Sequence, residues 1–187
     1  MILCGYFPKL VDTRPVWLAE PRVEEVCSVS NCVSDGPDDW IGRWLHNWLG
    51  WFNTVTDAQS IVPADEAPRY RLFAYRLAPS FYRQGHPEPV SLPKDVNPEP
   101  LPPGFVSLGF DVYSKWMDSI LGPEHSPLSC NSMASEFQVN RHCLLATLDD
   151  ARGAAARFSV EQPEAGERLL HEPRRHSRAI DPVPRRI

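Results

Sequence analysis

FVSLGFDVY at 105–113, RHCLL at 141–145 and TLDDARGAAARF at 147–158 lie within one stretch, Phe105–Ser159, whose reading decides the fold. In the first segment Val106, Leu108, Phe110 and Val112 alternate with Ser107, Gly109 and Asp111, the two-residue period of a half-buried strand. The second segment is a short apolar run that predicts another strand. The third opens on Thr147 with Asp150 three residues on, a side-chain cap for the first free amides of a helix. Leu148, Ala151, Ala155 and Phe158 supply its inner face, and small alanines suit close packing on a sheet. The expected order is strand, long polar loop, short strand, helix. The loop, 114–140, is longer than connections in compact domains usually are, and such loops often carry function.

Upstream, Arg69–Ala78 carries large apolar groups in both registers and predicts a central strand covered on both faces. Residues 2–7 (ILCGYF) predict a short buried strand ended by Pro8. SDGPDD at 34–39 is a helix start, because Pro37 has no amide hydrogen to lose and the acids sit near the positive end of the dipole. A helix over 37–52 is expected to follow, since Trp40, Trp44, Trp48 and Phe52 recur every four residues beside Ile41, Leu45 and Leu49. Its aromatic face reads as a core anchor, each Trp covering about 150–250 Å2, or else as a binding platform made of Trp40, Trp44 and Trp48. A helical turn is expected over 56–61. Pro87, Pro89, Pro93, Pro98, Pro100, Pro102 and Pro103 predict a stiff extended crossing between two strands.

These elements give the expected fold class, α+β. Residues 1–163 form a single domain, with a small, mostly antiparallel sheet from segments near 2–7, 69–78, 105–113 and 141–145. The sheet packs against two main helices, and the loops are long. Residues 164–187 read as an Arg-rich, disordered tail: over 167–187, Arg168, Arg174, Arg175, Arg178, Arg185 and Arg186 oppose only Glu167, Glu172 and Asp181, a balance of about +3.

Composition narrows the class of molecule. The 187 residues, 42% hydrophobic and 23% charged, suffice for one buried core. The 20 prolines are about twice the usual share and favour loops over long helices. A net charge of −5 argues against nucleic acid as the partner, except weakly through the basic tail. Cys4, Cys27, Cys32, Cys130 and Cys143 are odd in number and widely spread, unlike a secreted disulfide framework. The chain opens without a basic leader, and no run approaches the ~20 apolar residues of a membrane span. A cytoplasmic protein with no membrane partner is the expectation.

For chemistry, the long loop offers Cys130, with His125 or His142 as base and Asn131 or Asn140 as orienting or oxyanion group, the parts of a thiol nucleophile. Against this stands an ordinary semi-buried thiol, since the run Pro127–Asn131 (PLSCN) matches no cysteine-protease signature. Cys27 and Cys32, with His46, Cys130, His142 and Cys143, are a loose zinc grouping; their spacing falls short of paired ligands, and neither a metal nor a cofactor is assigned. The adjacent acids Glu24–Glu25, Asp38–Asp39 and Asp149–Asp150 read as solvated faces or helix-start charges. No glycine-rich phosphate loop is present.

The run PLSCN at 127–131, followed by VNRHCLL at 139–145 and the capped helix, resembles a segment of uncharacterised bacterial proteins. The resemblance covers roughly Phe105–Pro163 and extends to RLFAYRL at 71–77. It implies an apolar strand after the last helix, from which the Arg-rich tail departs, and it brings neither an activity nor site residues. Function is therefore expected to be that of a non-catalytic protein-interaction or accessory protein of regulatory or toxin-neutralising type, with another protein as partner. The alternatives are a thiol-dependent enzyme built on Cys130 and a zinc-stabilised binding module.

Overall fold

In the computed structural model the longest strand, β2 (Tyr70–Arg83), is paired on both edges. Described are residues 1–10, 18, 20–27, 36–37, 40–43, 45–83, 85–115, 126–130, 133–161 and 167–176, without the side chains of 41, 113–115, 130 and 167–176. β1 (Ile2–Leu10) runs antiparallel to β2 on one edge, with a bulge between Leu3 and Gly5. β3 (His86–Pro89) folds back on the end of β2 through a tight turn. On the other edge lies β6 (Glu167–His176), which in turn pairs with β4 (Phe105–Ser107) and β5 (Asp111–Lys115). The result is a six-stranded antiparallel sheet in the order β1-β2-β6-β4.

Local chemistry accounts for the helices. α1 (Val55–Ser60) starts where the Thr54 side chain accepts from the Asp57 amide at 3.0 Å. α2 (Pro127–Cys130) is a single short turn. In α3 (Leu148–Glu161), Thr147 Oγ1 accepts from the Asp150 amide at 3.1 Å, while Asp150 Oδ2 accepts from the Thr147 amide at 3.3 Å. This reciprocal cap is the one its sequence predicts. α3 lies against β2, β5 and β6, burying Ala151, Ala154, Ala155 and Phe158 among Ala78, Val112 and Leu145. The α+β class with a mainly antiparallel sheet is thus the architecture. Among the described residues no helix is long and apolar enough to cross a membrane.

The expected helix over 37–52 is corrected. Among the described residues of this segment only Ile41–Arg43 winds, as a 3-10 turn, and 45–52 is a folded loop whose Phe52 bridges both His46 and Tyr6. Gly50 adopts φ +79, a left-handed conformation that ends helical winding. Burial does not follow the four-residue period either: Leu49, Trp51 and Phe52 are buried, whereas Leu45 and Trp48 are exposed. Trp51 stacks on Tyr75 at 4.9 Å, and Trp40 packs edge-on against Phe7 at 5.0 Å, so the aromatics fill a core beside β1 and β2. Trp44 lies outside the described residues.

The short strand expected at 141–145 is a turn, with only Leu145 in isolated bridges to Phe110 and Val139. The expected strand 105–113 is broken into β4 and β5 at Leu108 and Gly109. Residues 167–176, within the stretch read as a tail, form β6; 162–166 and 177–187 lie outside the described residues. The proline-rich crossing between β3 and β4 is extended, with Val90, Leu92, Val96 and Leu101 resting on the aromatic core. It is tied down where Asp95 Oδ2 accepts from the Trp48 amide at 2.7 Å and Glu99 Oε1 accepts from the Val55 amide at 2.8 Å.

Two groups on β1 give the fold an alkaline dependence. Burial pushes the Cys4 thiol from 9.0 up to about 11, and burial with the nearby Glu99 charge pushes the Tyr6 phenol from 10.0 up to about 12. Folding therefore favours the neutral form of both. Their contribution is whole below pH 9 and is lost as pH rises, for Cys4 between 9.0 and about 11. Its size for Cys4 alone is roughly 2–3 kcal/mol. Urea midpoints are expected to fall over this interval, less steeply in Cys4→Ala; an equal slope in that variant would contradict the assignment.

Candidate metal centre

Two loops meet at the seam between the aromatic core and the α3 core. The first runs through residues 20–27, where Arg22 Nε donates to Glu20 Oε1 at 2.7 Å and Val23 turns back onto the Glu20 carbonyl. The Glu20 carboxylate raises the Arg22 guanidinium above its ordinary range. Beyond that turn, the amides of Glu24 and Glu25 both donate to the Arg141 carbonyl, at 2.9 and 3.1 Å, and the Cys27 amide donates to the His142 carbonyl at 3.1 Å. Main-chain bonding thus fixes the first loop against the second.

The second loop, 139–145, is shaped by Asn140. Its Oδ1 accepts from the amides of His142 and Leu144, at 2.9 and 3.2 Å, and its Nδ2 donates to the Leu108 carbonyl at 2.8 Å. Cys143 is held at φ +60, a conformation uncommon for a side-chain-bearing residue. This tight winding presents His142 to the first loop.

There His142 Nδ1 lies 2.6 Å from Glu25 Oε1 and 3.9 Å from Cys27 Sγ. Cys27 is 2% exposed and His142 8%, while Glu25 is half-buried. On the far side of the ring Arg141 Nε faces His142 Nε2 at 3.4 Å, and Arg141 Nη1 lies 3.7 Å from Glu24 Oε2. One donor atom from each of Glu25, Cys27 and His142 falls within 4.8 Å of the others.

A thiol nucleophile needs the base to face the thiol with one ring nitrogen and its orienting acid with the other. Here thiol and carboxylate approach the same nitrogen, so the arrangement does not form that relay. Carboxylate, thiolate and imidazole converging on one point is the donor pattern of a metal ligand set. A tetrahedral zinc with Zn–S near 2.3 Å and Zn–N near 2.0 Å would place sulfur and nitrogen about 3.5 Å apart. The 3.9 Å present is close to that, and the carboxylate would recede by roughly 0.7 Å from its hydrogen bond.

Of the residues singled out from the sequence, His142 and Cys27 are brought together. His125, Asn131 and Cys32 lie outside the described residues, as does the side chain of Cys130, whose backbone ends α2. His46 packs edge-on against Trp40 at 5.1 Å, in the aromatic core. Cys143 is buried in the α3 core. Trp40 is half-buried in packing, and Trp48 is exposed on the 45–52 loop. Glu25 is the member of this candidate group that sequence reading misses, taken there for a solvated charge. Its signal is the Glu-x-Cys spacing, which in extended backbone turns both side chains to one side. No protein-family model matches this chain, and comparison with curated proteins and with solved structures likewise finds no match.

Proposed function

We propose that this chain is a non-catalytic accessory protein of the cytoplasm whose two seam loops are held by one transition-metal ion, zinc before others. The observation that carries the reading is the convergence of Glu25 and Cys27 on a single ring nitrogen of His142. A soft thiolate beside imidazole and carboxylate suits zinc, whereas magnesium or calcium would call for oxygen donors alone. Buried Cys4 is in no disulfide, in keeping with a reducing compartment. The metal would join segments 115 residues apart, adding a cross-link to the main-chain hydrogen bonds and the Glu25–His142 and Glu24–Arg141 contacts between the loops. A surface made of those loops would then be presented to a protein partner in one fixed shape.

Zinc titration of the purified, chelator-treated protein tests this. One equivalent is expected to bind, and at about a hundredfold excess over Kd it should raise Tm by roughly 5–10 °C. With cobalt(II) as probe, a sulfur-to-metal charge-transfer band should appear and vanish in Cys27→Ser. No saturable binding, or a band unchanged in Cys27→Ser, would overturn the reading.

A further inference from the structure

We infer that Arg141 sets how tightly the Glu25–Cys27–His142 group takes its metal, as a positioning residue that holds the His142 ring in the tautomer that refuses one. The inference rests on the metal reading above. A guanidinium can only donate, so the Arg141 Nε–H aimed at His142 Nε2 from 3.4 Å makes that nitrogen the acceptor. In the neutral ring the proton is then on Nδ1, where Glu25 Oε1 accepts it at 2.6 Å. Nδ1 is also the nitrogen beside Cys27 Sγ, and hence the one a shared metal would need. Its lone pair is covered by a proton that Glu25 accepts and that Arg141 keeps from moving to Nε2.

For a metal to bind, the ring proton must move to Nε2 and the Cys27 thiol proton must leave to solvent. The new Nε2–H would point at the Arg141 Nε–H, donor against donor. Metal-bound histidines do the reverse, giving their second ring N–H to a carboxylate or carbonyl. Arg141 therefore has to swing aside, and Glu24 Oε2, 3.7 Å from its Nη1, is the carboxylate placed to receive it. Both side chains are well exposed, at 62% and 70%, so the movement is small in cost. The Arg141 main chain stays put, because its carbonyl accepts from both the Glu24 and Glu25 amides. The device is a side-chain latch on a fixed backbone.

Two variants read it out in the full-length protein, with zinc affinity measured by chelator competition. Arg141→Met removes donor and charge and should tighten zinc binding about three- to tenfold. Arg141→Gln can offer its amide oxygen to Nε2–H and should bind more tightly still; charge removal alone would make the two variants equal. Long-range nitrogen–proton NMR of the metal-free protein should show the His142 proton on Nδ1 in the parent chain and a larger share of the Nε2–H tautomer in Arg141→Met. Equal affinity in the parent chain and both variants, or a parent ring protonated on Nε2, would overturn the role of Arg141 while leaving the metal centre standing. Failure of every form to bind zinc would overturn the metal centre and the latch together.

Discussion

Gly109→Ala is expected to lower stability by about 2–5 kcal/mol and to abolish with it the metal binding proposed above. Gly109 sits at φ +135, where a side chain is strained before any contact is considered. A methyl group there would lie 2.7 Å from the Leu145 carbonyl oxygen, 3.0 Å from Asn140 Nδ2 and 3.0 Å from Leu144 Cβ. None of these can yield cheaply. Leu145 exchanges both main-chain bonds with Phe110 at 2.8 Å, and Asn140 holds the turn that presents His142. The close approach of Gly109 is thus what lets the 139–145 loop dock on the break between β4 and β5. Gly153 in α3 is the control, since a methyl group there meets nothing within 4 Å. Gly153→Ala should stabilise by about 0.5–1 kcal/mol. Urea midpoints decide the matter: a Gly109→Ala midpoint equal to the parent's would remove the docking account.

The parts of this fold legible in the sequence are those specified locally. Thr147 with Asp150, and Thr54 with Asp57, satisfy amides three residues away, so α3 and α1 announce their own starts. β2 is legible because its burial on both faces demands apolar groups in both registers. β6 is not. Its sequence, ERLLHEPRRH, holds no alternation, and its place in the sheet comes from main-chain pairing with β2, β4 and β5. Pro173, opposite Tyr75, is a residue that speaks against a central strand when read alone. The break between β4 and β5 is likewise invisible in an unbroken alternation, because it depends on what approaches Gly109 from elsewhere.

The candidate centre shows the same division. Cys27 and His142 stand out as residue types, but their meeting is arranged by the Arg141 and His142 carbonyls, and a carbonyl leaves no mark in a sequence. Asn140 could have been suspected as a turn former, since its side chain competes well for nearby amides. Glu25 could not be told from Glu24 until the backbone turned one toward the ring and left the other outside. With Glu25 in place, the question about His142 changes from which thiol it deprotonates to what it holds in common with Cys27.

Asn47→Ala carries the other large effect, and its sign separates two pictures of the 37–52 segment. On the four-residue aromatic period, Asn47 lies on the solvent side of a helix, where alanine would be neutral or stabilising by a few tenths of a kcal/mol. In the structure Asn47 is 3% exposed and works as the frame of a folded loop. Its Oδ1 accepts from the Leu49 and Trp51 amides at 3.0 and 3.3 Å, and its Nδ2 donates to the Cys4 carbonyl at 2.9 Å and to Asn53 Oδ1 at 3.0 Å. These bonds let Trp51 and Phe52 enter the aromatic core while Trp48 turns outward. Alanine removes all four in a buried place, and a loss of about 3–4 kcal/mol is expected. Asn47→Asp should do no better, because it keeps the acceptor but sets a carboxylate against two carbonyl oxygens. Equilibrium urea unfolding, followed by tryptophan fluorescence, gives the answer for both. A destabilised alanine variant supports the loop; an alanine variant as stable as the parent would return the segment to the helix its aromatic spacing suggests.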